Sequence, residues 1–139
     1  MTVFTIGYGG RNKESLLALL HANGVKTVVD IRLRPDRASM GMWTKAKTAD
    51  KGIEGWLAAA GIEYRSLVEL GNMFRELPDW PRRYRELLTS SGELLTERLA
   101  GIPGPYCLLC AEKRVADCHW LHVAEYLIES CGAEIQHLE

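Results

Sequence analysis

Short apolar strands alternate with amphipathic helices along this chain, and that alternation constrains its fold more than any other feature. The segments KTVVDIR (26–32) and PYCLLC (105–110) are nearly continuous apolar runs, which are typical of strands buried on both faces. Further strands are expected at TVFTIG (2–7), IEYRSLVEL (62–70) and AEIQHL (133–138). The order predicts one three-layer α/β domain over residues 1–139. Its sheet is expected to be mainly parallel, with about five strands and right-handed crossovers.

Helices are predicted where apolar residues recur at helical spacing between residues that begin or end helices. Asn12, Asp79 and Asp117 are the expected N-caps, and Gly24 and Gly132 are expected to end the first and last helices. The expected helices cover 13–23, 53–60, a segment that begins after Asp79, and 118–131.

The composition is that of an ordinary globular protein, and it excludes some classes of function. The chain is 47% hydrophobic and 25% charged, with a formal net charge of -1, so its surface as a whole is not a basic nucleic-acid-binding surface. No apolar run approaches the roughly 20 residues of a membrane span. The N-terminus lacks the charged region of a signal peptide, and the four cysteines are not spaced like a disulfide framework. We therefore expect a cytoplasmic protein with free thiols and no membrane association.

Most of the chemically suggestive side chains follow the predicted strands directly. Ligands bind in open α/β sheets beyond the carboxyl ends of the strands, so these segments predict a site. The segments are GYGGRN, DIRLRP, VELGN and CAEKRVADCH.

The same parts of the chain resemble a known family. TIGYGGRN, VVDIRLRP, LVELGN and LLCAEKRVADCHW, in this order, are similar to the domain-of-unknown-function family 488, and the resemblance covers nearly the whole chain. That family is an α/β family, mostly bacterial and archaeal, without a firmly established activity. The resemblance implies that these residues match the family's motif positions: Asp30, Arg32, Pro35, Cys110, Glu112, Cys118 and His119. The family usually has arginine where this chain has Trp120. If that arginine holds an anion, the contact is either lost here or supplied by Arg114 or Arg11.

A metal site is one interpretation of the cysteines and histidines. Cys118 and His122 lie one turn apart on the predicted helix, and with Cys110 and His119 they could form a zinc site of two cysteines and two histidines. The chain lacks paired Cys-x-x-Cys knuckles, however, and Cys107 and Cys110 are expected on opposite faces of a strand. We expect no bound metal, no cofactor and no disulfide between Cys107 and Cys110.

Thiol chemistry is the favoured hypothesis. Cys118 lies in the first turn of a predicted helix, where backbone N–H groups and the helix dipole favour a thiolate, and His119 is adjacent. Cys110, at a strand end, is expected to be a nucleophile or redox thiol, with Glu112 as acid or base. The alternative is that both cysteines are small residues packed in the core.

Charged residues near the second strand are expected to bind an anionic, small or nucleotide-like substrate. Arg32 would hold the anion, and Asp30 would orient Arg32 or act as a base. The alternative is a structural ion pair, because a buried charge needs a partner. The other expected substrate contacts are Tyr8, by ring stacking, and Arg11, Glu69 and Arg114.

Two other functions remain as alternatives to an enzyme. A nucleic-acid-binding module could use the basic 33–52 segment, which contains Trp43, together with the cluster at 82–85. A zinc-stabilised structural domain is the third hypothesis. The length of the 33–52 segment predicts a mobile connection that covers part of the site. The sequence leaves the substrate and the oligomeric state open.

Overall fold

A computed structural model describes residues 2–38, 40–112 and 118–139. Its five strands form one sheet in the order β3-β2-β4-β1-β5, and every neighbouring pair is parallel. The strands are β1 (Thr2–Gly7), β2 (Thr27–Asp30), β3 (Glu63–Ser66), β4 (Tyr106–Cys110) and β5 (Glu134–His137). The α-helices are α1 (Lys13–Ala22), α2 (Gly52–Ala59), α3 (Trp80–Leu95) and α4 (Trp120–Cys131). The predicted α/β fold is confirmed.

Helices pack on both faces of the sheet, which gives three layers. Apolar side chains of α1 and α2 pack with one face: Leu16, Leu20, Ile53 and Leu57. Those of α3 and α4 pack with the other: Tyr84, Leu88, Trp120, Val123 and Leu127. Every residue of β4 is buried, because this strand lies in the middle of the sheet. Burial of each large aliphatic side chain stabilises the fold by about 1.5–3 kcal/mol.

The ends of several elements differ from the prediction. β3 stops at Ser66, and a short 3-10 turn follows over Val68–Leu70. The cause is that β3 is an edge strand whose partner β2 ends at Asp30, opposite Ser66. Beyond that point a longer strand would have no hydrogen-bonding partner.

One of the three expected N-caps forms as predicted. The side chain of Asn12 accepts a hydrogen bond from the backbone N–H of Ser15 at 2.8 Å. Asp79 precedes α3 but makes no side-chain capping bond, because its carboxylate pairs with Arg82 and Arg83 instead. Asp117 lies outside the described residues.

The two cysteines of β4, Cys107 and Cys110, point to opposite faces of the sheet, as predicted. Cys107 packs with the α1 and α2 layer, whereas Cys110 packs with the α3 and α4 layer. Within the described residues, no helix has both the length and the apolar character needed to cross a lipid bilayer.

Candidate functional site

A pocket of about 460 Å³ opens at the carboxyl ends of β2 and β4. These strands are hydrogen-bonded neighbours, which is the adjacency that the predicted site requires. The chain leaves β2 toward the β3 edge of the sheet and leaves β4 toward the β5 edge. Connections that diverge in this way leave a crevice between them, where α/β proteins commonly bind ligands. The topology therefore explains why a pocket forms at this place.

Asp30 and Arg32 form a buried, hydrogen-bonded ion pair on one side of the pocket. Asp30 is completely buried, and its carboxylate accepts bonds from Arg32 Nε at 2.9 Å, from Arg32 Nη2 at 2.7 Å and from the Tyr64 hydroxyl. It also accepts a bond from the backbone N–H of Arg32 at 3.0 Å. Burial alone would lower the pKa of Arg32, but the bonds to Asp30 and its charge raise that pKa above the ordinary value. These partners compensate the cost of burying both charges.

Arg32 also reaches the pocket itself. It lines the cavity, and its Nη1 donates to the Tyr8 hydroxyl at 3.3 Å. A guanidinium has five N–H donors, so the bonds made within the described residues leave two N–H groups for other partners. A residue held in place by Asp30 can thus still contact a ligand.

Tyr8 lies against Arg32 and Trp43. Its ring stacks on Trp43, with ring centroids 4.7 Å apart and an interplanar angle of 19°. The Arg32 guanidinium carbon lies 5.3 Å from the centroid of the Tyr8 ring. One face of Tyr8 is therefore covered by Trp43, which is itself buried, and this limits the predicted stacking of a substrate ring on Tyr8.

Cys110 and Cys118 meet beside the pocket and are joined as a disulfide. Cys110 is the last residue of β4. Cys118 precedes α4 by two positions, so the prediction that it lies in the first turn of the helix is wrong. The strand end and the helix start lie at the same edge of the sheet, which brings both buried sulfurs together. The expectation of free thiols is wrong for this pair, whereas Cys107 and Cys131 are free.

His119 is buried between Cys118 and the end of β2. Its Nε2 lies 2.9 Å from the carbonyl oxygen of Ile31, and a carbonyl can only accept, so Nε2 carries a proton. Burial lowers the pKa of His119 to about 4 against the effect of that hydrogen bond, so the ring is neutral near pH 7. The unprotonated Nδ1 then lies 3.9 Å from Sγ of Cys118. This nitrogen can accept a proton or bind a metal.

Three of the four predicted metal ligands are grouped, and the fourth is elsewhere. Donor atoms of Cys110, Cys118 and His119 all lie within 4.8 Å of one another. Two sulfurs and one nitrogen match the number of protein ligands in catalytic zinc sites, although sulfurs joined in a disulfide cannot act as thiolates. His122 lies against the Trp80 ring, with its Nδ1 3.8 Å from a carboxylate oxygen of Glu125.

The other predicted site residues are only partly brought to the pocket. Glu112 lines it and is exposed. Arg11 instead donates to the carbonyl oxygens of Gly7 and Leu138, at 2.8 and 3.1 Å. Glu69 accepts two bonds from Arg98, each at 2.6 Å, and does not line the pocket. Arg114 lies outside the described residues.

Several residues that were not predicted as substrate contacts do line the pocket. They are Arg34, Arg37, Asn72, Arg75 and Trp80. Arg34 and Arg37 belong to the basic 33–52 segment, whose first residues line the crevice. The signal that could have found Asn72 and Arg75 is their place at or just after the LVELGN segment.

The structure weakens the argument for nucleic-acid binding at both proposed places, the 33–52 segment and the cluster at 82–85. Trp43, the aromatic residue of the 33–52 segment, is only 2% exposed and packs against Tyr8 and Trp56. On α3, Arg82 pairs with Asp79 and Glu86, and Arg83 also pairs with Asp79. A buried ring cannot stack on a base, and paired arginines attract phosphates less strongly.

Comparison with known proteins identifies a family. The family described as "Domain of unknown function DUF488" matches residues 12–127, a span that includes β2, β4 and the residues around the pocket except Tyr8. No curated protein matches the chain, and no solved structure matches it. Because the match covers most of the chain, the protein belongs to the DUF488 family.

Proposed function

We propose that the protein is an enzyme that acts on a small anionic substrate in the pocket between β2 and β4, with Cys110 as the reacting group. One observation carries this proposal. Among the described residues, four arginines and a single glutamate line the pocket together with Cys110. The cavity, about 460 Å³, is within the usual range of small-molecule sites.

The charges of the lining favour an anion. Arg32 is paired with buried Asp30, and on the exposed surface Arg34 pairs with Asp36 at 3.3 Å and Arg75 with Glu76 at 3.7 Å. In the part of the chain that the structure describes, Arg37 has no ion-pair partner. A cleft lined mainly by one sign of charge, here with Glu112 as its one carboxylate among the described residues, concentrates ligands of the opposite sign, because the protein around it has a low dielectric constant. Carboxylate and phosphate groups match the planar guanidinium group of arginine best.

The roles of the acidic residues follow from their surroundings. Asp30 is enclosed by Arg32 and Tyr64 and is completely buried, so it serves as a positioning residue for Arg32 and not as a base. Glu112 is exposed at the pocket next to Cys110, where it can exchange protons with a ligand. His119 also lines the pocket, and its Nδ1 lies 3.9 Å from Sγ of Cys118.

Alkylation of the reduced protein tests both parts of the proposal. Iodoacetate and iodoacetamide alkylate thiols alike but differ in charge, so the ratio of their rates at Cys110 reports the local potential. We expect iodoacetate to be favoured at Cys110 by about tenfold over a small free thiol, because a positive cleft raises the local anion concentration. Peptide mapping by mass spectrometry locates the modified cysteine, and inorganic phosphate should protect it.

A matched pair of variants assigns the effect to the pocket. Arg37→Gln removes a charge of the lining and should lower the preference for iodoacetate. Arg65→Gln removes an exposed arginine that pairs with Glu63 on the edge strand β3, and it should leave the preference unchanged. A Cys110 with the same reagent preference as a free thiol, in wild type and in both variants, would rule out an anion site.

A further inference from the structure

We infer that Cys110 and Cys118 are a redox pair that reduces a disulfide bond in a small anionic substrate. This inference rests on the proposed function, because it uses the same pocket and the same reacting cysteine. It goes further by naming the reaction and the reactive group of the substrate.

The second sulfur is what distinguishes this site from that of a simple thiol nucleophile. Sγ of Cys118 is bonded to Sγ of Cys110, so it is within reach of any group that becomes attached to Cys110. Attack by a neighbouring thiol is intramolecular and therefore much faster than attack by a molecule from solution. Both cysteines are buried, at 2% and 1% exposure, which also limits access by water. An adduct on Cys110 is thus expected to be resolved by Cys118 and not by hydrolysis.

The two sulfurs have different access to the pocket, which assigns their roles. Cys110 lines the pocket, whereas Cys118 does not and packs in the core between the sheet and α4. In thiol–disulfide exchange, the accessible thiolate attacks the substrate and the second thiol displaces it. Cys110 is therefore the attacking residue and Cys118 the resolving residue.

His119 places a hydrogen-bond acceptor at the resolving cysteine. Its Nε2 donates to the Ile31 carbonyl, which fixes the ring and leaves the lone pair of Nδ1 directed to Cys118, 3.9 Å away. Edge-to-face packing against Tyr84, with centroids 5.3 Å apart, further limits rotation of the ring. After reduction, the Cys118 thiol can donate a hydrogen bond to Nδ1, which orients its sulfur for attack.

The steps balance in atoms and electrons. The Cys110 thiolate attacks one sulfur of the substrate R–S–S–R′, a Cys110–S–S–R bond forms, and R′–S⁻ leaves. The Cys118 thiol, held by its hydrogen bond to His119 Nδ1, then attacks Sγ of Cys110, and R–S⁻ leaves and takes up the proton of that thiol. Two electrons have moved from the cysteine pair to the substrate, and the disulfide seen in the structure has formed. A dithiol reductant restores the pair by the reverse exchange.

The arginines of the pocket select the substrate class. Arg37 and Arg75 line the cavity together with the anchored Arg32, so the groups next to the S–S bond should carry carboxylates or another anion. The expected substrate is a small disulfide with negative charge near its sulfurs.

The test uses two aromatic disulfides with different charge. The reduced protein, freed of reductant, is mixed with anionic dithiobis-nitrobenzoate or with neutral dithiodipyridine, and the released thiol is followed by absorbance. All proteins carry Cys131→Ser, because Cys131 is free and exposed and would react as well. We expect two thiols to be released from each dithiobis-nitrobenzoate molecule, with the Cys110–Cys118 disulfide as the product.

Variants separate the two steps. Cys118→Ser and Cys118→Ala should release one thiol and leave the other half of the reagent on Cys110, detectable as added mass. Both variants replace a buried side chain, so circular dichroism of each checks the fold. His119→Gln should slow the second release by up to about tenfold, the effect of losing one hydrogen bond that orients Cys118, while the first release is less affected. Arg37→Gln should slow the reaction with the anionic reagent several-fold more than the reaction with the neutral one.

The possible failures are distinguishable. If Cys110 prefers the anionic reagent but folded wild type retains a stable mixed disulfide, the redox inference is overturned and the anionic-substrate proposal stands. If both thiols are released with no preference for charge, the pocket proposal fails. One equivalent of zinc in the purified protein, lost in both Cys110→Ser and Cys118→Ser, would overturn the redox assignment in favour of a metal site.

Discussion

Asp30 lies opposite Leu109 in the parallel pairing of β2 with β4, one position before Cys110. This register brings the anchored Arg32 and the reacting Cys110 to the same edge of the sheet. Both residues then line one pocket although they are far apart in sequence. The geometry of the site therefore depends on how firmly the Asp30–Arg32 pair is held.

Asp30→Asn should destabilise the fold strongly. The substitution removes the charge that compensates Arg32, and breaking a buried ion pair from one side costs about 3–5 kcal/mol. The measurement is the free energy of unfolding in urea. Glu63→Gln breaks the exposed pair between Glu63 and Arg65, which should cost less than about 1 kcal/mol. Equal losses in the two variants would contradict the importance of burial.

Acid should weaken the fold through His119. The pKa of His119 is lowered to about 4 by burial, below the ordinary value near 6.5, so the unfolded chain binds the proton more readily. The stability that this neutral histidine contributes is present above about pH 6.5 and is lost as the pH falls toward 4, to a total of about 3 kcal/mol. Burial also lowers the pKa of His122, which acts in the same direction.

Urea unfolding of the oxidised protein between these pH values measures the slope. His119→Gln should be less stable than wild type at neutral pH but should lose less stability on acidification. An identical pH slope in wild type and variant would show that His119 is accessible to protons in the fold.

Gly71→Ala should disturb the wall of the pocket by steric overlap. A Cβ at this position would lie 2.5 Å from Cα of Leu33, a backbone atom that cannot move alone. Overpacking of this kind typically costs 1–3 kcal/mol. We also expect a weaker preference of Cys110 for iodoacetate, since Leu33 and the arginine after it line the pocket. Gly41→Ala is the control, because a Cβ there meets nothing within 4 Å; similar effects of both would exclude a specific steric cause.

Glu112→Gln distinguishes two roles of the carboxylate. If Glu112 acts only through its charge, its removal should speed the reaction with the anionic disulfide by about threefold, for a charge roughly 7 Å away in a water-like medium. The neutral reagent should then react at the wild-type rate. A fall in both rates would instead indicate that Glu112 transfers protons. Stopped-flow absorbance with the two reagents decides between these results.

Local chemistry in the sequence predicted the location of several residues that line the pocket. Asp30 and Arg32 were expected to be paired because they end an apolar strand, and Cys110 was expected at the sheet edge for the same reason. The adjacency of β2 and β4 could not be predicted from the sequence. These strands are separated by β3 in the chain and become neighbours only because the chain crosses back over the sheet after β3. The Cys110–Cys118 bond depends on that same tertiary arrangement.

The residues that were placed wrongly share a physical cause. Glu69 was expected at the end of a long third strand, but β3 stops where its partner ends, and Glu69 turns to Arg98. Arg11 was expected at the pocket, yet nearby backbone carbonyls offer its guanidinium partners at the β5 side. Competing partners from distant parts of the chain leave no periodic pattern in the sequence.

The position of Cys107 makes the labelling rate of its thiol a measure of unfolding. This thiol lies on the same strand as Cys110 but on the opposite face, it is completely buried, and burial raises its pKa, so it stays in its unreactive form. Cys107 can be labelled only when the core opens, whereas the labelling rate of Cys110 depends on the pocket. In any variant, the labelling rates of the two cysteines therefore separate damage to folding from damage to function within one sample.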